Sequence, residues 1–468
     1  MKKCAGFILF VWPFLALAQN GIEGFQKWQP TLESISLHET PEWLMDAKIG
    51  IQFVGEPQEF DDVQWYHWSR AMQRARQLGF DESDEQLRKH KDGVKVVGGI
   101  PYAWDVSPAG DPGKLMDAYK RTGAKYLVSM LQAAYPGTEG LRMMPGEVEL
   151  ARKNGFRVGL HYNLLRRDGL PSMGDPGYVE WWHSRVKDEV EIMGSDFLFF
   201  DGCQAPSAYF KTPELVSWYY NQAESLGKEV WVNEDLGTDT RESLEHGDVH
   251  EGEGFTMSGV SAKHFLNWDM IRNEWNCWVN EFGIHKRDGS QWEWVYKPVD
   301  ELLQLFIYNV SMGGGWVVQM VNTQQAWENM WEIGDWLAVN GEAIYGTRPY
   351  YPADASARRL PDHRAPIGHD GTKHWMWRFD QTVDVARSGG PLYMTRKQER
   401  VYAIRFGWPG ETLTIPGVRA KKRSAIRMLG VDEELEWKQK GDDLIILLPP
   451  EKPCDYAYSF SIEEHKKK

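Results

Sequence analysis

The stretch SDFLFFDGCQ, residues 195–204, decides the fold. Four apolar residues, three of them Phe, run straight into Asp201 and Gly202. A short, continuous apolar run is the pattern of a parallel strand covered on both faces. A carboxylate at the end of such a run is costly unless it opens onto solvent or is paired. The glycine after it lets another group approach closely. Asp201 is therefore read as the place where a buried strand meets a cleft.

The same grammar extends on either side. From about residue 45 to 345, a helical stretch repeatedly closes on Gly and an apolar run follows at once. DPGKLMDAYKRTG precedes AKYLVSML, GEVELARKNG precedes FRVGLHYNLL, and DPGYVEWWHSRVKDEVEIMG precedes SDFLFFDG. TPELVSWYYNQAESLG precedes KEVWVNED, and VDELLQLFIYNVSMGGG precedes WVVQMVN. Asp111-Pro112, Asp175-Pro176 and Thr212-Pro213 read as an N-cap followed by Pro at the first helical position. The closing glycines suit a left-handed C-cap. With AKIGIQFVG near residue 50, GDVHEGEG near 250 and KHFLNWDM near 267, about eight strands are expected. Alternation of this kind is α/β, and eight strands favour a (β/α)₈-like TIM barrel over an open sheet. Residues 56–110 form a long insertion after the first strand. Beyond about 350, RVYAIRFGW, DLIILLPP and YAYSFSI are short strands between turns, so a C-terminal β-sandwich is expected over 351–468. The barrel is assigned residues 19–350.

Residues 1–18 read as a signal peptide. Lys2 and Lys3 precede an apolar segment that ends in Ala16-Leu17-Ala18. Export to the periplasm or medium of a bacterium follows, with no membrane-spanning segment expected elsewhere. Without Cys4, three cysteines remain, Cys203, Cys277 and Cys454, too few for a disulfide framework. No His/Cys grouping has zinc-ligand spacing, and no metal or cofactor is expected. A net charge of −14 argues against nucleic acid as partner. The 23 Trp exceed what core packing needs and point to a cleft that stacks on sugar rings, so the partner is an oligo- or polysaccharide.

In a barrel of this kind, the carboxyl ends of the strands build the active site. Read that way, the sequence places Asp201, Glu234, Asp235, Glu251, Glu253 and Asp269 around one mouth, with His161 and Asn163 beside them. Several carboxylates around a mouth suit glycoside hydrolysis by a pair of acids. A glycan-binding protein that does not catalyse is the alternative, and a metal-dependent barrel hydrolase is a third.

The segments PEWLMDAKIGI, WYHWSRAM, AYKRTGAKYLV, FRVGLHYNL, FLFFDG, VWVNEDLG, SMGGGW and IGDWLAVNGEAIYGTRPY together resemble glycoside hydrolase family 29, the α-L-fucosidases, over roughly residues 40–460. The resemblance implies a (β/α)₈-like barrel followed by a β-sandwich, and a retaining exo-enzyme whose nucleophile is Asp201. It implies an acid/base Glu after the sixth strand, with Glu253 first, Glu251 second and Glu234 third. It also shows departures. Val54 and Gly55 stand where the family has His and Trp, and Ala133 and Ala134 stand where it has a His-His pair. Those histidines recognise fucose in the family. The resemblance therefore implies a fucose-like sugar: L-fucose, L-galactose or a modified fucose. Gln52, His67, Gln132, Tyr135, His161, Tyr162, Asn163 and Glu234 are the candidate sugar contacts, and Trp65 and Trp316 the candidate stacking surfaces.

Overall fold

The structure is a computed structural model. It describes residues 27–53, 112–132, 143, 145–163, 173–201, 205–240, 247–253, 265–270, 284–285, 292–293, 299–320, 324–350 and 392–465. The expected 56–110 insertion and the 1–18 leader lie outside these residues.

In chain order the first half runs α1 (Leu32–Ile35), α2 (Glu42–Ala47), β1 (Ile49–Phe53), α3 (Pro112–Arg121), β2 (Tyr126–Gln132), α4 (Pro145–Lys153) and β3 (Arg157–Asn163). It continues with α5 (Tyr178–Met193), β4 (Phe197–Asp201), α6 (Ser207–Phe210), α7 (Thr212–Ser225), β5 (Trp231–Val232), β6 (His250–Glu253) and β7 (Phe265–Met270). A small hairpin, β8 (Ile284–His285) and β9 (Trp292–Glu293), precedes α8 (Val299–Ser311), β10 (Gly315–Met320) and α9 (Gln324–Asn340). Eight of these strands form one parallel sheet in the order β5-β4-β3-β2-β1-β10-β7-β6. The strands expected near 250 and 267 are β6 and β7, and Asp269 lies within β7 rather than after it.

The helix punctuation is only partly as expected. Gly194 closes α5 in the left-handed region at φ 57°, its N–H returning to the Val190 carbonyl. Asp175-Pro176 does not cap α5. It forms a turn before it, the Asp175 carbonyl accepting from Tyr178 N at 3.2 Å, and Gly177 takes the cap position. Thr212 does not cap α7 either. It is the first helical residue, and its hydroxyl donates to the Leu236 carbonyl at 2.6 Å, tying α7 to the loop after β5.

One face of the sheet packs against the helices. Ile49, Ile51, Leu127, Val158, Leu160, Leu198, Phe200 and Val232 belong to the same cluster as residues of α3, α5 and α7–α9. The other face carries aromatic rings. Tyr126, Phe197 and Trp231 come from β2, β4 and β5, with Val317 of β10, Val249 and, from α2, Leu44 and Ala47 in the same cluster. Phe197 stacks on Trp231 with centroids 4.5 Å apart and meets Tyr126 edge-on at 5.8 Å. Strands from opposite parts of the sheet share this cluster only because the sheet is strongly rolled. Glycine makes the space. Gly159 and Gly50 have no side chain where a Cβ would overlap the rings of Phe197 and Tyr126.

The two edge strands meet at one parallel bridge, Asn233↔Val249, without a continuous ladder among the described residues. A buried carboxylate spans this seam. Asp248 accepts from Val232 N at 3.0 Å and from the Tyr220 hydroxyl at 2.8 Å, and His38 Nδ1 lies 2.8 Å from its other oxygen.

The C-terminal strands form two antiparallel sheets. One is ordered β11-β12-β13-β18-β15, from Arg348–Pro349, Leu392–Lys397, Arg400–Phe406, Ala457–Glu463 and Arg427–Met428. The other is β14-β17-β16, from Thr412–Ile415, Asp443–Leu447 and Trp437–Lys440. Val401, Met428 and Phe460 of the first meet Leu413, Leu444 and Ile446 of the second in one core, which makes the pair a sandwich. This unit is seated on α8 and α9. Gln304 Nε2 donates to the Tyr393 hydroxyl at 2.8 Å, and Trp336 Nε1 donates to the Ala457 carbonyl at 2.8 Å.

Candidate active site

The stretch 195–204 holds two aspartates, one at each end of β4. Asp196 precedes the strand and is buried. It accepts from Arg152 at 3.1 Å, Arg157 at 3.2 Å and Val158 N at 3.0 Å. Asp201 ends the strand. After four fully buried residues its side chain is 37% exposed. Exposure at the carboxyl end of a buried parallel strand is what the composition of the segment required, because the carboxylate keeps its hydration there.

Strands on both sides fix the end of β4. Asn163, the last residue of β3, is its partner in the parallel register. On the β5 side the regular ladder ends after Leu198↔Val232. The Asn233 side chain continues it, its Oδ1 accepting from Phe200 N at 2.8 Å and its Nδ2 donating to Phe200 O at 2.8 Å. A side-chain amide thus stands in for a strand peptide one residue before Asp201. Asn233 was not singled out from the sequence. Its signal is an amide directly after the buried run VWV.

Two sequence candidates converge on Asp201. His161 of β3 is buried, its ring edge-on to Phe199 at 5.0 Å. Its Nε2 lies 3.5 Å from Asp201 Oδ2. Gln52 of β1 is fully buried, and its side-chain nitrogen hydrogen-bonds His161 Nδ1. Three residues from β1, β3 and β4 therefore form one polar line through an otherwise aromatic interior.

Two candidates are corrected. Tyr162 is 2% exposed and packs on Trp182 of α5, on the helix face of the sheet. Trp316 is fully buried near the start of β10, its ring 5.7 Å from Phe306 of α8. Neither ring meets a cleft, so neither stacks on a sugar. Strand alternation explains both: neighbours of inward residues point outward.

Glu234 lies just after β5, and its side chain is buried, as is that of Asp235. Gln132 ends β2, and Glu251 and Glu253 lie in β6, where Glu253 pairs with Trp268 of β7. Val249, in the inner aromatic cluster, sits two residues before Glu251. Trp65, His67 and Tyr135 lie outside the described residues, as do Val54, Gly55, Ala133 and Ala134. Among the described residues, no group of three or more His, Cys, Asp or Glu is placed to hold a metal ion. No described helix is long and apolar enough to cross a membrane.

A partly exposed carboxylate at the end of a parallel strand, further acids after β5 and on β6, and an attached β-sandwich point to the class: a glycoside hydrolase built on a parallel α/β sheet. A family model described as alpha-L-fucosidase matches residues 148–342, and one described as alpha-L-fucosidase C-terminal domain matches residues 388–463. The chain belongs to the α-L-fucosidase family. It is 22% identical to the tissue alpha-L-fucosidase of Rattus norvegicus over 483 residues, covering 94% of this chain and 92% of that one. It is 24% identical to the alpha-L-fucosidase of Dictyostelium discoideum over 385 residues, covering 72% and 78%. The fold is similar to that of the Thermotoga maritima alpha-fucosidase solved in complex with fucose. There the TM-score is 0.61 at 18% identity, covering 93% of this chain and all of that one. The Paenibacillus thiaminolyticus alpha-L-fucosidase isoenzyme 1 aligns with a TM-score of 0.58 at 17% identity, covering 91% and 98%.

Proposed function

We propose that this glycoside hydrolase removes a terminal α-L-fucose-like sugar from an oligo- or polysaccharide with retention of configuration, using Asp201 as nucleophile. The observation that carries this reading is Asp201 itself, an exposed carboxylate at the end of a buried strand, braced by Asn233 behind it. The eight-stranded sheet is read as a (β/α)₈-like barrel closed at the β5/β6 seam, spanning residues 19–350, with the sandwich over 351–468. The leader at 1–18 would direct export.

In the first step an Asp201 oxygen attacks the anomeric carbon as the bond to the aglycone oxygen breaks, and that oxygen takes a proton from a carboxylic acid. In the second step a water oxygen attacks the same carbon. The water proton returns to the acid/base carboxylate and the ester to Asp201 breaks. Glu253 is the first choice for the acid/base and Glu251 the second, both carried by β6. A retaining pair stands ~5–5.5 Å apart. With Val54, Ala133 and Ala134 at the family histidine positions, the sugar is either L-fucose held by a different residue set or a relative such as L-galactose or a modified fucose. A site built to pair a given hydroxyl set discriminates strongly against others.

A panel of aryl α-L-glycosides tests this. Hydrolysis of at least one is expected, with Asp201→Gly inactive alone and yielding a β-glycosyl azide when azide is added. Hydrolysis of none, with glycan binding unchanged in Asp201→Asn, would leave a binding protein in its place. Glu253→Ala should lose most activity on substrates with poor leaving groups. Wild-type activity there would move the role to Glu251.

A further inference from the structure

Gln52 and His161 lie 109 residues apart and enter from β1 and β3, on either side of β2. Both are buried in an interior built mainly from Tyr126, Phe197, Phe199 and Trp231. A buried amide–imidazole pair in such a place is expensive unless each polar atom is used. One imidazole nitrogen is used by Gln52, and the other faces Asp201 at 3.5 Å.

We infer that Gln52 and His161 are positioning residues for the nucleophile: Gln52 fixes the imidazole so that its Nε2–H points at Asp201 Oδ2. This deepens the proposed function and rests on Asp201 being the nucleophile. The logic is that of an imidazole whose free nitrogen is set by the partner of the other. When Gln52 donates its amide N–H, Nδ1 must be the acceptor, and a neutral ring then carries its proton on Nε2. Were the amide turned over, its oxygen would require Nδ1–H, and only the doubly protonated ring would place a proton opposite a carboxylate. The structure has the first arrangement, the Gln52 nitrogen on Nδ1, and it alone lets a neutral ring direct Nε2–H at Asp201. At 3.5 Å the contact is longer than a formed hydrogen bond. Contacts of this kind in ligand-free enzymes tighten as the reacting complex forms. Held by Oδ2, the carboxylate presents Oδ1 to the anomeric carbon in a set orientation.

The role differs from sugar binding, in which His161 would grip a hydroxyl. The distinguishing experiment uses the full-length chain, with His161→Phe and Gln52→Leu, which keep approximate shape and remove the polar atoms. Covalent labelling of Asp201 by a 2-deoxy-2-fluoro-α-L-fucosyl fluoride is followed by intact mass, and the inhibition constant of free L-fucose is measured in parallel. The labelling rate constant should fall ~10–100-fold in His161→Phe, the scale of a misplaced reacting group, and less in Gln52→Leu. The L-fucose constant should stay within about twofold of wild type. A weakened L-fucose constant with an unchanged labelling rate would make His161 a sugar contact and overturn the inference.

A second readout does not need turnover. In ¹⁵N-histidine-labelled protein, the His161 signals, assigned by their loss in His161→Phe, should show a protonated Nε2 that shifts in Asp201→Asn. The Nδ1 signal should shift in Gln52→Leu. His161 signals indifferent to both substitutions would overturn the pairing even if every variant folds normally. Wild-type protein that is neither labelled nor active on any α-L-glycoside would instead overturn the proposed function, with the nitrogen shifts still deciding the pairing.

Discussion

The two aspartates that bracket β4 should separate stability from chemistry. Asp196 is 2% exposed and accepts from Val158 N, Arg152 and Arg157. Asp196→Ala leaves the Val158 N–H buried without its acceptor, a loss of about 1–3 kcal/mol. The two arginines are 33% and 43% exposed, so water recovers much of their interaction, and about 0.5 kcal/mol each is a fair allowance. Arg152 also keeps its bonds to the Met193 and Gly194 carbonyls. The total is about 2–4 kcal/mol. At roughly 2 °C per kcal/mol for a unit of this size, the unfolding midpoint falls by about 4–8 °C. Asp201→Asn is isosteric and its site is exposed, so its midpoint should stay within about 1–2 °C. Its hydrolysis rate should fall ~10³-fold or more, the scale seen when a nucleophile is removed. The assay is thermal unfolding by circular dichroism at pH 7 and one scan rate, paired with aryl glycoside hydrolysis at 25 °C. An Asp196→Ala midpoint within 1 °C of wild type, or a comparable fall in Asp201→Asn, would refute the division between a structural and a reactive end of the strand.

Three further substitutions probe packing and burial around the sheet. Gly159→Ala drives a methyl into the Phe197 ring, which is itself stacked on Trp231, so about 2–3 kcal/mol or more should be lost, seen as a lowered midpoint or insoluble protein. Gly155→Ala is the control for open space, since nothing lies within 4 Å of its Cβ, though its φ of 89° strains it modestly. Lys48, buried between α2 and β1, has its ammonium pushed down to about 7, first by burial and then by Arg348, with Asp46 and Glu42 opposing. Between pH 7 and its ordinary value the unfolded chain binds more protons, so stability from this group rises with pH across that window. Lys48→Met removes the penalty of a buried charge. It should therefore raise the midpoint more at pH 6 than at pH 9. An equal gain at both would show that the ammonium is not buried as described.

The chain's order of elements is legible because its two local signals agree. Helices end on glycine, and buried parallel strands read as apolar runs, so FLFFDG could be placed as a strand opening onto a mouth without any long-range information. The antiparallel sandwich is legible for the same reason, since its strands are short runs between turn residues. The facing of each strand residue is not legible. When both faces of a strand are buried, polarity no longer alternates, and Tyr162 and Trp316 look the same in sequence as inward-facing rings. The seam residue Asp248 and the brace Asn233 are also silent, because a single polar residue beside an apolar run has many ordinary uses.

What the sequence determined by itself is an α/β chain with a carboxylate at a strand end, since that rests on patterns within some ten residues of Asp201. What only the tertiary structure decided is how that carboxylate is held. Gln52, His161 and Asp201 come from three separate strands, and nothing in their local sequence links them. Rolling the sheet brings β1, β3 and β4 onto one interior, where the space left by Gly50 and Gly159 admits the large rings below. There a polar line forms because each of its buried groups needs a partner, and the neighbouring strands are the only place to find one.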